Sequence, residues 1–342
     1  MDEVFESESS RRVSKKPLPA KVVLLVNLGT PSAPTASAVR RYLAQFLSDR
    51  RVIDLPRWLW LPLLYGVILL VRPRRSARLY QHIWTPTGSP LLIGTAALAH
   101  ALQQRFDPAA VEIRYAMRYG APDMATVMSE FKAPSPRSLV VLPLFPQYSA
   151  ATTASVFDSL SAELRRWRSV PDLQFIADYH NDEGYIDALA GSVEAHWREH
   201  GRADRLLLSF HGIPQRYVAA GDPYATQCES TAHQLKVRLG LDADEITLCY
   251  QSRVGLETWL QPYTDATLRE LPAQGIRRVQ VLCPGFAIDC LETLEEIAMT
   301  NRDLFLGAGG ERFEYIPALN AQPAHVAALD ALIRRRLCGV SQ

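Results

Sequence analysis

A chain of 342 residues, 48% apolar and 21% charged, holds more apolar material than one ordinary core takes up; it predicts two folded lobes and excludes extensive disorder. Lys and Arg number 37 against 36 Asp and Glu, a net charge of +1, so no overall field favours nucleic acid and an anionic ligand must be held by local groups. The five cysteines (Cys228, Cys249, Cys283, Cys290 and Cys338) contain no CxxC pair, which argues against a zinc ribbon or a disulfide framework and for a reducing, cytoplasmic setting.

Residues 1–20 mix Glu3, Glu6 and Glu8 with Arg11, Arg12, Lys15 and Lys16 and lack both a signal-peptide core and an acid-poor transit composition; a disordered arm is expected there. The first apolar run, Val22–Asn27, reads as a strand followed by a ligand loop, Asn27-Leu28-Gly29-Thr30-Pro31. Trp58–Val71 is strongly apolar but falls short of the roughly 20 residues of a crossing helix, and Pro62 and Gly66 interrupt it. With Arg57, Arg72, Arg74 and Arg75 beside Trp58 and Trp60, the segment suits either a surface resting on a bilayer or the lip of an apolar cleft; a buried helix with basic flanks is the plainer reading.

Further strands are expected at Val111–Ala116, Leu139–Phe145, Leu173–Tyr179, Leu206–Phe210, Ile246–Tyr250, Val279–Pro284 and Phe313–Ile316, with amphipathic helices between them. Eight such runs predict an α/β protein with parallel sheets covered on both faces, the first four and the last four forming two similar lobes. The boundary falls near residue 180, giving lobes 21–180, with the lip at 52–75, and 181–342, whose last helix, Pro323–Leu337, packs back across the molecule.

Open parallel sheets bind ligands beyond the carboxyl ends of their strands, and several chemistry-bearing residues fall there. His211, in Ser209-Phe210-His211-Gly212-Ile213-Pro214, leaves a strand at a forced turn and can take up a proton or offer a neutral nitrogen to a metal. After the seventh strand, Asp289, Glu292 and Glu296 fall within roughly 60° of one another at about 100° per residue, a row of carboxylates on one helix face. Leu291, Leu294, Ile297 and Ala298 take the opposite side. Such a row is often just a solvated face; inside a cleft it would guide a hard cation or relay protons, and mutual repulsion would raise a pKa within it. Tyr148, Ser149 and the hydroxyls that follow offer a helix N-terminus suited to a carboxylate or phosphate, or plain capping, and Arg118-Tyr119 add a cation and a phenol. A GxxxxGK[ST] loop, an HExxH pair and a GxSxG elbow are all missing from the sequence, and Gly307-Ala308-Gly309-Gly310 lacks the dinucleotide spacing.

The ordered series Asn27-Leu28-Gly29-Thr30-Pro31, Gly88-Ser89-Pro90-Leu91, Arg118-Tyr119-Gly120, Leu144-Phe145-Pro146-Gln147-Tyr148-Ser149, Ser209–Pro214, Gly221-Asp222-Pro223-Tyr224, Tyr250-Gln251-Ser252-Arg253-Val254-Gly255, Trp259-Leu260 and Glu292-Thr293-Leu294-Glu295-Glu296 resembles the ferrochelatases over residues 20 to 320. The resemblance implies a chelatase-like fold of two Rossmann-like lobes, each a four-stranded parallel sheet flanked by helices, with a porphyrin cleft between them, and insertion of Fe2+ into protoporphyrin IX with release of two protons. It places His211 and Glu292 at the iron site and Glu296 further along an acidic track, with His211 open to either metal binding or proton acceptance. Leu28, Arg118, Tyr119, Tyr148, Ser149 and Trp259 would then line the cleft, and the lip would make peripheral contact with the inner face of a membrane through residues 58–75. Cys290 stands where animal relatives carry a histidine, which argues against an outer metal site copied from them. No [2Fe–2S] cluster or other tightly bound cofactor is expected. Competing readings are a chelatase acting on coproporphyrin or inserting cobalt, and a non-catalytic porphyrin carrier.

Overall fold

The computed structural model describes residues 20–255 and 257–338, so the arm expected at 1–20 lies, but for its last residue, outside the described residues. Eight strands form: β1 (Lys21–Thr30), β2 (Val111–Gly120), β3 (Ser138–Pro143), β4 (Asp172–Phe175), β5 (Arg205–His211), β6 (Ile246–Gln251), β7 (Arg278–Leu282) and β8 (Arg312–Ile316). They pair in parallel as two sheets of identical order, β2-β1-β3-β4 and β6-β5-β7-β8. In each, the first strand is followed by a neighbour on one side and then by a jump to the other, so the switch point lies at the carboxyl ends of β1 and β5. Asn27–Thr30 and His211 sit at those two ends.

Covering helices explain the continuous apolar strands. In β1, Val22, Leu24 and Val26 enter one cluster with Phe131, Leu160 and Trp167, while Val23 and Leu25 enter another on the opposite face, all fully buried. Each such side chain contributes about 1.5–3 kcal/mol. The second cluster also takes Leu206, Leu208 and Phe210 of β5, with Leu98, Val193, Leu235 and Ile333 from the intervening helices. The lobes therefore share one apolar layer, which fixes the strand ends of one against those of the other. The final helix is Pro323–Cys338, and its Asp330 takes an ion pair from Arg105 of the first lobe.

Two local expectations change. Residues 27–30 continue β1 as strand, with Gly29 opposite Tyr119 at φ +111; a Cβ there would lie 1.7 Å from the Tyr119 carbonyl, so only glycine lets the strands pair this far. The lip is also not broken: Arg57–Leu63, Leu64–Ile68 and Leu69–Ile83 run on as helix through Pro62 and Gly66, with the middle stretch widened to i→i+5 bonding. Pro62 removes an amide donor, and the widened turn directly after it absorbs the disruption.

Candidate active site

At the end of β5, Gly212 turns the chain so tightly that a Cβ would meet the Gln251 carbonyl at 3.0 Å and the Trp259 ring at 3.3 Å. His211 Nδ1 lies 2.6 Å from the Gly212 carbonyl. A carbonyl only accepts, so Nδ1 carries a proton, and in the neutral ring the lone pair is on Nε2. The Trp259 ring stands 6.4 Å from the imidazole, centroid to centroid, its own N–H donated to the Val254 carbonyl.

The carboxylates come from Glu292–Asn301, a helix with π geometry where the even spacing predicts an α-helix. Glu292 and Glu296, four apart in a wider turn, still lie nearly above one another. Asp289 does not join them, because it precedes the helix and accepts hydrogen bonds from Tyr315 Oη (2.6 Å), Asn320 Nδ2 (2.7 Å) and Thr293 Oγ1 (2.9 Å). The apolar side divides as well: Leu291 and Leu294 pack under the lip beside Leu28, whereas Ile297 enters the core of the second lobe.

Gln251 ties the two halves together, pairing in register with His211 while its Nε2 donates to the Glu292 carbonyl at 2.8 Å. Glu296 is gripped by Ser252, whose backbone N–H donates to Oε1 at 2.7 Å and whose hydroxyl donates to Oε2. Ser252 holds φ +67 to do so, a left-handed conformation that a non-glycine residue takes up at a cost. Burial pushes the Glu296 carboxyl up; the Ser252 bond and the nearby His211 oppose this, and Glu292 reinforces it. Glu296 also lines a cavity of about 250 Å³ shared with Ser252, Arg253, Asp265 and Asn301.

The acidic helix packs directly against the lip, and there the Glu292 charge helps raise the buried phenols of Tyr42 and Tyr80, for which burial is the larger cause. It also acts on Arg72, a half-buried guanidinium pushed down by desolvation and partly restored by Glu292. The sequence reading took Arg72 for a basic flank; nothing in its spacing separates it from Arg74 and Arg75, which are exposed.

Arg118 and Tyr119 meet a partner that the sequence did not reveal. Arg118 Nη2 and Tyr119 Oη donate to Asp49 Oδ2 at 2.5 and 2.8 Å, and Ser155 Oγ at 2.6 Å. Burial pushes the Asp49 carboxyl up, but these bonds with the Arg51 amide and the Arg118 charge outweigh it, so it stays below its ordinary value. Tyr148 is half-buried, its amide donated to Gln227 Oε1 at 2.6 Å. The helix N-terminus after it is already occupied: Asp222 Oδ2, from the second lobe, accepts from Ser149 Oγ (3.0 Å) and the Ala150 amide (2.7 Å). Ser149 is therefore buried against protein rather than open to an anion. Among the described residues no three His, Cys, Asp or Glu side chains gather as a ready-made ion site.

This arrangement, two parallel sheets of identical order with an imidazole and carboxylates beyond the strand ends of the second, is that of a two-lobed α/β chelatase. Its fold is shared by SirB from Bacillus subtilis, solved with Fe3+, at a TM-score of 0.56 and 12% identity over 92% of this chain and 94% of that one. The sirohydrochlorin chelatase SirB of the spizizenii subspecies, in complex with cobalt, gives 0.54 at the same identity and coverage.

The chain belongs to the ferrochelatase family, whose model matches residues 20–337. It is 52% identical over 321 residues to the ferrochelatase of Pseudoalteromonas atlantica, covering 93% of this chain and 89% of that one. Against the ferrochelatase of Methylococcus capsulatus the identity is 55% over 311 residues, 91% and 95% of the two chains. It is a metal chelatase, a ferro-lyase.

Proposed function

We infer that the protein inserts Fe2+ into protoporphyrin IX, forming protohaem and releasing two protons. The observation that carries the mechanism is the His211 imidazole, fixed as the Nδ1–H tautomer, at one strand end with a carboxylate of raised pKa beside it.

A free-base porphyrin is flat and carries two N–H protons, so the ring must bend and lose them before a cation can enter. Binding of its apolar rim and propionates offsets the bending. Leu28, Leu291 and Leu294 supply an apolar wall, and Trp259 an aromatic one beside His211. His211 Nε2 accepts the two pyrrole protons in turn, and Glu296 relays each towards the cavity it shares with Ser252 and Asn301. Glu292 contributes a carboxylate to the entering Fe2+, which is substrate here and is passed on. His211 acts mainly as base, since an imidazole that held iron tightly would slow its transfer.

Arg72 is the candidate propionate anchor, because a desolvated guanidinium gains most from a new carboxylate. Arg118, already neutralised by Asp49, would hold the Tyr119–Ser155 wall in place. Along the lip, Trp58, Leu59, Leu63, Tyr65, Val67, Leu70 and Val71 are exposed beside Arg74 and Arg75. That apolar face with a basic rim supports peripheral contact with an anionic bilayer at the membrane's inner face; among the described residues no helix is long and apolar enough to cross one. The reading includes no tightly bound cofactor: Cys228, Cys249, Cys283 and Cys290 are buried, and burial pushes each thiol away from the thiolate that a cluster ligand requires.

Anaerobic addition of Fe2+ to protein and protoporphyrin IX, followed by visible spectroscopy, tests the function. The expected result is catalytic conversion to the haem spectrum, lost in His211→Ala while porphyrin still binds. Bound porphyrin that stays metal-free with the wild-type chain would overturn the reading.

A further inference from the structure

The segment that leaves His211 does not stay with its own lobe. It forms the short helix Gln215–Ala219, turns at Gly221 and enters the helix Tyr224–Leu239, touching the first lobe throughout. Tyr217 Oη donates to the Val52 carbonyl at 3.0 Å, Arg216 pairs with Asp54, and Gln227 accepts the Tyr148 amide. At its centre is Asp222. One oxygen takes the Ser149 hydroxyl and the Ala150 amide of the first lobe; the other takes the Tyr224 amide of its own at 3.1 Å.

We propose that Asp222 is a positioning residue for metal insertion: it locks the His211 segment to the Tyr148–Ser155 wall and so sets how far a porphyrin held between them is bent. The inference rests on the function proposed above. Three donors converge on this side chain, two from the first lobe on one oxygen and one from its own lobe on the other, so it spans the two lobes directly. Its charge also matches the positive end of the helical turn at Ala150–Ala154. That turn continues into Ser155, which holds Asp49 and Arg118, so the clamp acts on the residues lining one side of the cleft. Among the described residues Asp222 makes no hydrogen bond to His211; its influence passes through geometry, and small misplacements of reacting groups carry large kinetic costs.

The test compares wild type, Asp222→Asn and Asp222→Ala by turnover, porphyrin affinity and resonance Raman spectra of the bound metal-free ring. Expected are folded variants that bind porphyrin within about threefold of wild type, with kcat down about 10- to 100-fold and out-of-plane ring bands weakened. Asp222→Asn, which keeps one acceptor oxygen, should fall between the other two. Unchanged ring bands and kcat in a folded Asp222→Ala protein would overturn the proposal, as would a loss that follows only the folded fraction. Should Asp222→Ala not fold, Ser149→Ala, which removes a single bond to the clamp, must still weaken the ring bands, and unaltered bands there would count equally against it. A wild-type protein that forms no haem marks failure of the function instead, which the same assay distinguishes.

Discussion

Gln251 and Glu292 are joined by a single amide. Gln251 Nε2 donates to the Glu292 carbonyl while its Oε1 accepts from Ser209 Oγ at 2.7 Å, so one buried side chain connects β5, β6 and the start of the acidic helix. Gln251→Leu removes the bonds to the Glu292 carbonyl and to Ser209 together, an expected loss of about 1–3 kcal/mol in denaturant unfolding. Because the bond also sets where Glu292 stands against His211, kcat should fall about tenfold or more with KM for porphyrin little changed. A variant that is destabilised yet turns over normally would confine Gln251 to the fold.

Glu296 offers a test through pH. Burial raises its carboxyl and Ser252 is the largest opposing influence. Removing that hydroxyl in Ser252→Ala raises the carboxyl further, so the carboxylate needed to accept a proton appears only at higher pH. The acid limb of the kcat profile should therefore move to higher pH, and Glu296→Gln should remove that limb with most of the activity. A profile unmoved in Ser252→Ala would take Glu296 out of the proton route.

Arg72→Met keeps the apolar stem and deletes the charge. If the guanidinium meets a propionate, KM for the free-acid porphyrin should rise about tenfold, the scale of one hydrogen bond to a charged group. KM for the dimethyl ester should not change. An equal rise for both substrates would give Arg72 a purely structural part in the lip.

His325 governs acid stability. It is fully buried, donates Nδ1–H to the Asn320 carbonyl, and burial lowers its pKa to about 4. The unfolded chain binds a proton near 6.5 that the native state refuses, so stability is complete above that pH and drains away as the pH falls towards 4. The loss amounts to at most about 3 kcal/mol. Thermal melts between pH 4 and 7 should show a shallower acid decline in His325→Asn than in wild type; parallel curves would assign the decline to other groups.

The inner strands were plainly legible because a parallel strand covered on both faces must be apolar throughout, whereas the half-exposed edge strand β4 ends at Phe175, short of the expected Tyr179. His211 was legible for the same reason, as the first polar residue after such a run. The end of β1 was misread, since Asn27–Thr30 stop being apolar where they reach the crevice while still pairing with β2. The acidic row was only partly legible. Spacing groups Asp289 with Glu292 and Glu296, but Tyr315 and Asn320, remote in sequence, claim Asp289, and the Ser252 grip on Glu296 accompanies a widened turn that periodicity does not encode.

What the sequence determined by itself was therefore the set of elements and the residue types at their ends, because hydrophobic periodicity and turn chemistry are local properties. Only the tertiary structure decided which polar groups are spent on each other. Asp49 neutralises Arg118 and Asp222 fills the Ser149 turn, whereas His211 Nε2 and Arg72 keep their capacity for a substrate. Hydrogen bonds and burial between segments far apart in the chain settle that division, and pattern along the chain carries no record of it.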